Sequence, residues 1–191
     1  MNVKLPSDWF EAKPFGAMSD FIALEDRYRT DSLIVALREA IEQLADTEGR
    51  DLTPQETTLV TVDTFENAVN SGGFAEFISY SPELTPLIIG ALTEIGASNT
   101  AEIVTKNLDV PGVRKALRGF AKDSAEDVEL SDTAMNALER FDEIYQKSGT
   151  TLSDKLWIYV KENRDAFKLP EIAISPPKKQ RGFFAWLFKR D

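Results

Sequence analysis

Apolar residues recur every three to four positions over most of this chain, and that spacing predicts helices. In residues 31–47, Leu33, Leu37, Ala40, Ile41 and Leu44 share one side of a helix, with Thr30 or Asp31 as its N-cap. Residues 54–70 repeat the pattern through Leu59, Val62, Phe65 and Val69. Thr53 precedes Pro54 and stands three residues before Glu56, the register of a capping box with proline at the first helical position. Gly72 fits as the C-terminal cap of that helix. Further helices are expected over 83–95, 99–108, 112–122, 131–147 and 152–167, with Pro82, Gly96, Pro111, Gly149 and Pro170 as breaks. No stretch alternates for long enough to predict a strand. The expected fold is all-α, a single multi-helix domain of seven or eight helices over residues 1–169.

The polar faces of these helices are acidic. The chain carries 32 acids against 22 bases, net −10. Residues 1–177 alone carry 31 acids and 17 bases, net −14, because the last 14 residues hold five bases and one acid. In 31–47, Glu39, Glu42 and Asp46 form one stripe opposite the apolar side. In 131–147, Asp132, Glu139 and Glu143 form another, opposite Ala134, Leu138, Phe141 and Tyr145. Asp123, Glu126, Asp127 and Glu129 lie between the two in sequence. Carboxylates three or four residues apart on a helix stand roughly 4.5–6 Å apart along its axis, somewhat sparser than one phosphate per ~3.4 Å of each DNA strand. Such a surface can occupy a basic nucleic-acid-binding groove; the plainer alternative is a solvated helix exterior. With no basic stripe read on the body, direct nucleic-acid binding by the chain itself is not expected.

Composition removes most catalytic chemistry. There is no histidine and no cysteine. The commonest general bases, nucleophiles and transition-metal ligands are therefore missing, and neither metal nor cofactor is expected. No carboxylate pair or Ser-Lys pair is singled out by its spacing. The N-terminal residues lack the apolar core of a signal peptide, and no run approaches the ~18 apolar residues of a membrane span, so a cytoplasmic protein is expected.

Residues 67–82 (NAVNSGGFAEFISYSP) read as a helix end, a Gly-Gly break and a short second helix. Gly72 or Gly73 can take a positive φ, and Phe74, Phe77 and Ile78 share one face of the second helix. This is either a tight corner plugged by aromatic rings or a pocket edged by Asn67, Asn70 and Tyr80. The stretch from about Leu52 to Asp109 resembles a bacterial DNA-mimic protein family. The resemblance is carried by Leu52-Thr53-Pro54-x-Glu56, then Val62-Asp63-x-Phe65-Glu66-x-x-Val69-Asn70-x-Gly72-Gly73-Phe74-x-x-Phe77, then Leu92 to Ala97 and Ala101-Glu102-Ile103. It implies an all-helical, acidic, homodimeric protein that presents carboxylates in place of DNA phosphates to a DNA-binding protein. Asn70, Gly72, Gly73, Phe74 and Phe77 are then a structural signature, and the acids carry the function.

The C-terminus differs in kind. Residues 170–182 (PEIAISPPKKQRG) read as an extended, basic, proline-rich linker. If 182–190 is helical, Phe183, Phe184 and Leu187 share a face flanked by Trp186 and Phe188, with bases at both ends. That composition suits an anionic membrane surface or a partner's groove; the alternative is packing against the chain's own acidic body. The leading expectation is a non-enzymatic binding protein that engages a partner with a basic surface. A peripheral membrane or scaffold protein held by its aromatic basic tail is the alternative.

Overall fold

The computed structural model describes residues 8–123, 128–149 and 151–171. Among the described residues eight α-helices follow one another: α1 (Met18–Ile22), α2 (Thr30–Glu48), α3 (Pro54–Tyr80), α4 (Ile88–Glu94), α5 (Ser98–Leu108), α6 (Pro111–Asp123), α7 (Asp132–Ser148) and α8 (Leu152–Glu162). Short 3₁₀ turns follow α1 and α8. Among the described residues there is no strand, only an isolated bridge between Asp8 and Tyr28. The fold is all-α, as the periodicity predicts. Glu126, Asp127 and the tail aromatics Phe183, Phe184, Trp186, Leu187 and Phe188 lie outside the described residues.

The chain groups into two compact units. One takes the residues up to Thr57 together with those from Trp157 onward; the other is Thr58–Leu156. In the first, Leu33, Leu37, Ala40 and Ile41 of the predicted α2 stripe are buried, Ile34 is buried beside them, and Leu44 is half-buried. Phe10, Phe21 and Trp157 add aromatic surface, with Phe10 edge-on to Phe21 at 5.8 Å and Phe21 edge-on to Trp157 at 5.9 Å. Glu25 ties this core together by accepting from the Trp157 indole N–H (2.7 Å) and the Lys161 ammonium (2.8 Å). The bond from Lys161 holds the Glu25 carboxyl below its ordinary range, against the opposing effect of burial.

The α3 start is built as its sequence dictates. Thr53 N–H donates to the Glu56 carboxylate (2.8 Å) and Glu56 N–H to Thr53 Oγ1 (3.3 Å), a reciprocal capping box. Arg50 closes over the same carboxylate with two further bonds. The N-cap expected on Thr30 or Asp31 is not formed. Helix α2 starts at Thr30 behind Arg29 with no side-chain cap, and Asp31 Oδ1 accepts instead from Ser32 N–H and Arg29 Nε. The helix expected over 83–95 begins only at Ile88. Residues 81–87 make successive tight turns, Leu84 N to Ser81 O and Leu87 N to Leu84 O, where Pro86 disfavours helical backbone at Thr85.

In the second unit α5 packs against α4, α6 and α7. Helix α6 meets α7 closely at Gly112, where any Cβ would stand 2.8 Å from that of Ala134. Among the described residues no helix is long and apolar enough to cross a membrane.

Candidate functional site

The Gly-Gly break expected from the sequence is formed: within α3 (Pro54–Tyr80) two helical stretches meet at a kink, where Gly73 is non-helical at φ 78°, ψ −174°. That backbone conformation is essentially confined to glycine. The positive φ therefore belongs to Gly73, and the expected C-terminal cap at Gly72 is corrected. The reason lies 68 residues downstream. Asp142 of α7 accepts from Phe74 N–H at 2.8 Å, so its carboxylate caps the second half of α3. The same carboxylate fills the space that a Cβ on Gly73 would need. Gly72 is covered from the other side by Glu76, whose carboxylate also accepts from Ser71 Oγ at 2.9 Å.

Behind the kink the corner is filled. Phe65 meets Phe77 at 5.1 Å, Phe74 at 5.6 Å and Tyr145 at 6.1 Å, all edge to face, and Phe74 meets Tyr145 at 5.9 Å. Phe65, Phe74 and Phe77 are fully buried, while Asn67, Asn70 and Tyr80 are exposed at the surface. The arrangement is an aromatic plug, not a pocket edged by those three polar groups. Burial pushes the Tyr145 phenol well above its ordinary range, and the Glu66 charge adds to the shift.

Asp142 also positions the acidic face. Its bond to Phe74 and the contacts of Tyr145 fix the inner side of α7, on which Ala134, Leu138 and Tyr145 are buried. Asp132, Glu139 and Glu143 then stand exposed on the other side, and Glu129 is exposed just before the helix. The face is not purely anionic. Arg140 is exposed between them, and Lys147 pairs with Glu143 at 3.2 Å, with both side chains more than two-thirds exposed. An exposed pair of this kind contributes little and separates readily. Burial pushes the Asp142 carboxyl above its ordinary range; the Phe74 bond opposes this and the nearby Glu139 charge adds to it.

That direction makes a prediction. A folded-state value raised above the unfolded one means that the native protein binds more protons, so this group's contribution to stability falls as pH rises through the window above 3.8. Asp142→Asn keeps an acceptor for Phe74 N–H and removes the half-buried charge. It is expected to be neutral or slightly stabilising at pH 7, whereas Asp142→Ala should cost about 1–3 kcal/mol by leaving that N–H unpaired. Urea titrations of both variants decide it; an asparagine as damaging as alanine would show that the charge itself is needed.

The α2 stripe divides. Glu39 and Asp46 are exposed, but Glu42 is held by Arg38 at 2.7 Å with only 16% of its side chain exposed. Glu42 is thus part of a tight i,i+4 pair and not of an open acidic face. The α2 acids belong to the first unit and the α7 acids to the second. Asp123 is the last residue of α6. Among the described residues no cluster of three or more acids could hold a metal ion.

Residues 50–163 match the family model of the DMP19-like protein. The chain belongs to the DMP19-like protein family. No curated protein and no solved structure matches it. The matched region takes in the Gly73 corner and all of α7, and leaves the α2 acids outside.

One half-buried acid, one buried acid and one basic face escape a reading by periodicity and net charge. Asp142 and Glu66 are acids on otherwise apolar helix sides, beside Leu138 and Tyr145 and beside Phe65 and Val62 respectively. An acid in such a position is the signal that could have found them. On α6, Arg114, Lys115 and Arg118 are all exposed.

Proposed function

We propose that this DMP19-like protein acts by binding, and that its Thr58–Leu156 unit offers Asp132, Glu139 and Glu143 of α7, with Glu129, to the basic surface of a nucleic-acid-binding protein in place of DNA phosphates. One observation carries the reading. Within the family-matched region, the Gly73 corner that kinks α3 also clamps α7, and the clamped helix turns three carboxylates outward on one stripe. Along the axis those carboxylates are spaced about 10 Å and about 6 Å apart, standing in for every third and every second phosphate of one strand. Charges so placed act first on encounter, raising the association rate in a salt-sensitive way.

The test is competition. Immobilised protein should retain a DNA-binding protein that duplex DNA releases. The triple variant Asp132→Asn, Glu139→Gln, Glu143→Gln should lose about tenfold or more in association rate at low salt. Glu39→Gln with Asp46→Asn, outside the matched region, should leave it unchanged. Failure of DNA to displace the partner, or an unaffected triple variant, rejects mimicry by α7.

A further inference from the structure

The unit that carries the acidic face also carries a compact basic one. Residues 58–156 hold 16 acids and eight bases, and four of those eight bases lie on α6. Arg114, Lys115 and Arg118 are exposed and, with Pro111 and Gly119, line an open trough. Arg114 has a loose neighbour, Asp109 at 3.8 Å, and both side chains are more than half exposed, so the pair contributes little. Lys115 and Arg118 have no acid partner among the described residues. On its other side α6 is anchored by the fully buried Val113 and by the close approach of Gly112 to Ala134 of α7. Three exposed cations, one of them loosely paired with Asp109 and two without an acid partner among the described residues, are therefore held on one packed helix in a unit of net charge −8.

We infer that the basic side of α6 is a docking surface for a short, extended acidic segment of a partner protein, with carboxylates at alternate positions. The dimensions select that ligand. Arg114 and Arg118 are one turn apart, about 6 Å. In an extended chain, alternate side chains share one face and recur at about 6.6–6.8 Å, so a Glu-x-Glu segment brings one carboxylate to each guanidinium for forked, charge-assisted bonds. Lys115 flanks the pair, and Gly119 leaves the trough open beside it. The ridge is short. From Arg114 to Arg118 the helix rises about 6 Å, the length of about two extended residues. Asp109 borders one end, and Asp123, Glu126, Asp127 and Glu129 come after the other in sequence. A nucleic-acid strand is longer than the ridge and carries its charge past Asp109, where like charge opposes it. A segment of three or four residues does not. This inference is independent of the α7 reading, since it concerns a different helix and a ligand of the same sign as that face.

The experiment is a titration of the isotope-labelled full chain, monitored by amide NMR, with a capped peptide in which three glutamates alternate with serines. Saturable shifts centred on 111–119 are expected, abolished at high salt. The variant Arg114→Gln, Lys115→Gln, Arg118→Gln should weaken binding at least tenfold with unchanged helical content, because all three side chains are exposed. A peptide of the same composition with its glutamates contiguous should bind about threefold more weakly. The inference is overturned if no saturable shift develops, if the triple variant binds as well, or if an oligothymidylate of equal charge binds as tightly as the peptide. It is also overturned if sedimentation shows self-association that the triple variant abolishes, since the ridge would then be covered by a second copy.

Discussion

Replacing Gly73 by alanine is expected to lower the unfolding free energy by about 3 kcal/mol or more, a larger loss than most surface substitutions produce. Two effects combine. The φ of 78° with ψ of −174° is strained by about 1–3 kcal/mol for any residue with a Cβ. That Cβ would also stand 2.8 Å from Asp142 Cγ, which forces the carboxylate away and breaks its bond to Phe74 N–H. For a chain of this size the loss corresponds to a fall of roughly 6–12 °C in Tm. The two effects separate in a double-mutant cycle with Asp142→Ala, where the carboxylate is already gone. The double variant should be less destabilised than the sum of the singles. Strict additivity would mean that backbone strain alone explains the glycine, and a Gly73→Ala protein within about 0.5 kcal/mol of the parent would remove this account of Gly73 altogether. Because Asp142 also holds α7, the folded fraction of Gly73→Ala should associate more weakly with any partner of the acidic stripe.

How much of the fold is legible in the sequence depends on the range of each interaction. The capping box of Thr53 and Glu56 lies within four residues, and the structure forms it as the spacing implies. Helical periodicity is equally local, so α2, α3 and α5 to α8 can be read with only end effects wrong. The choice between Gly72 and Gly73 is not local. It is made by a carboxylate 68 residues away, and no pattern around the glycines distinguishes them. The late start of α4 is within reach, because Pro86 and its restricted predecessor Thr85 stand inside the stretch whose periodicity suggests helix. For the candidate surface, exposure of Asp132, Glu139 and Glu143 follows from the α7 wheel. The pairing of Glu42 with Arg38 is visible as an i,i+4 spacing. The basic side of α6 is hidden by an average: a body of net −14 gives no hint that its bases cluster on one helix.

Glu66 gives the other large effect. It lies on α3 beside Phe65 and is 9% exposed. Its carboxylate accepts from Leu152 N–H at 2.9 Å and from Ser153 Oγ at 2.8 Å, 86 and 87 residues on in sequence. It therefore caps the start of α8, where unpaired N–H groups and the helix dipole both favour an anion. Glu66→Ala leaves two buried donors unpaired, and each costs about 1–3 kcal/mol. The expected loss is about 3–4 kcal/mol, measured by urea unfolding. Glu66→Gln retains a single neutral acceptor and should fall between alanine and the parent. A local readout separates capping from general damage to the core. Amide exchange should accelerate most at Leu152 to Leu156, the first turn of α8, and least at α5. Uniform acceleration, or a loss below about 1 kcal/mol, would leave Glu66 as no more than a tolerated buried acid. The two carboxylates divide the architectural work of the unit: Asp142 joins α7 to the kink of α3, and Glu66 joins the start of α8 to its first half. Glu66 is buried and Asp142 half-buried, and each carboxylate accepts from a backbone N–H, so removing either should act first on stability, whereas replacing the exposed Asp132, Glu139 and Glu143 should change association with little loss of stability.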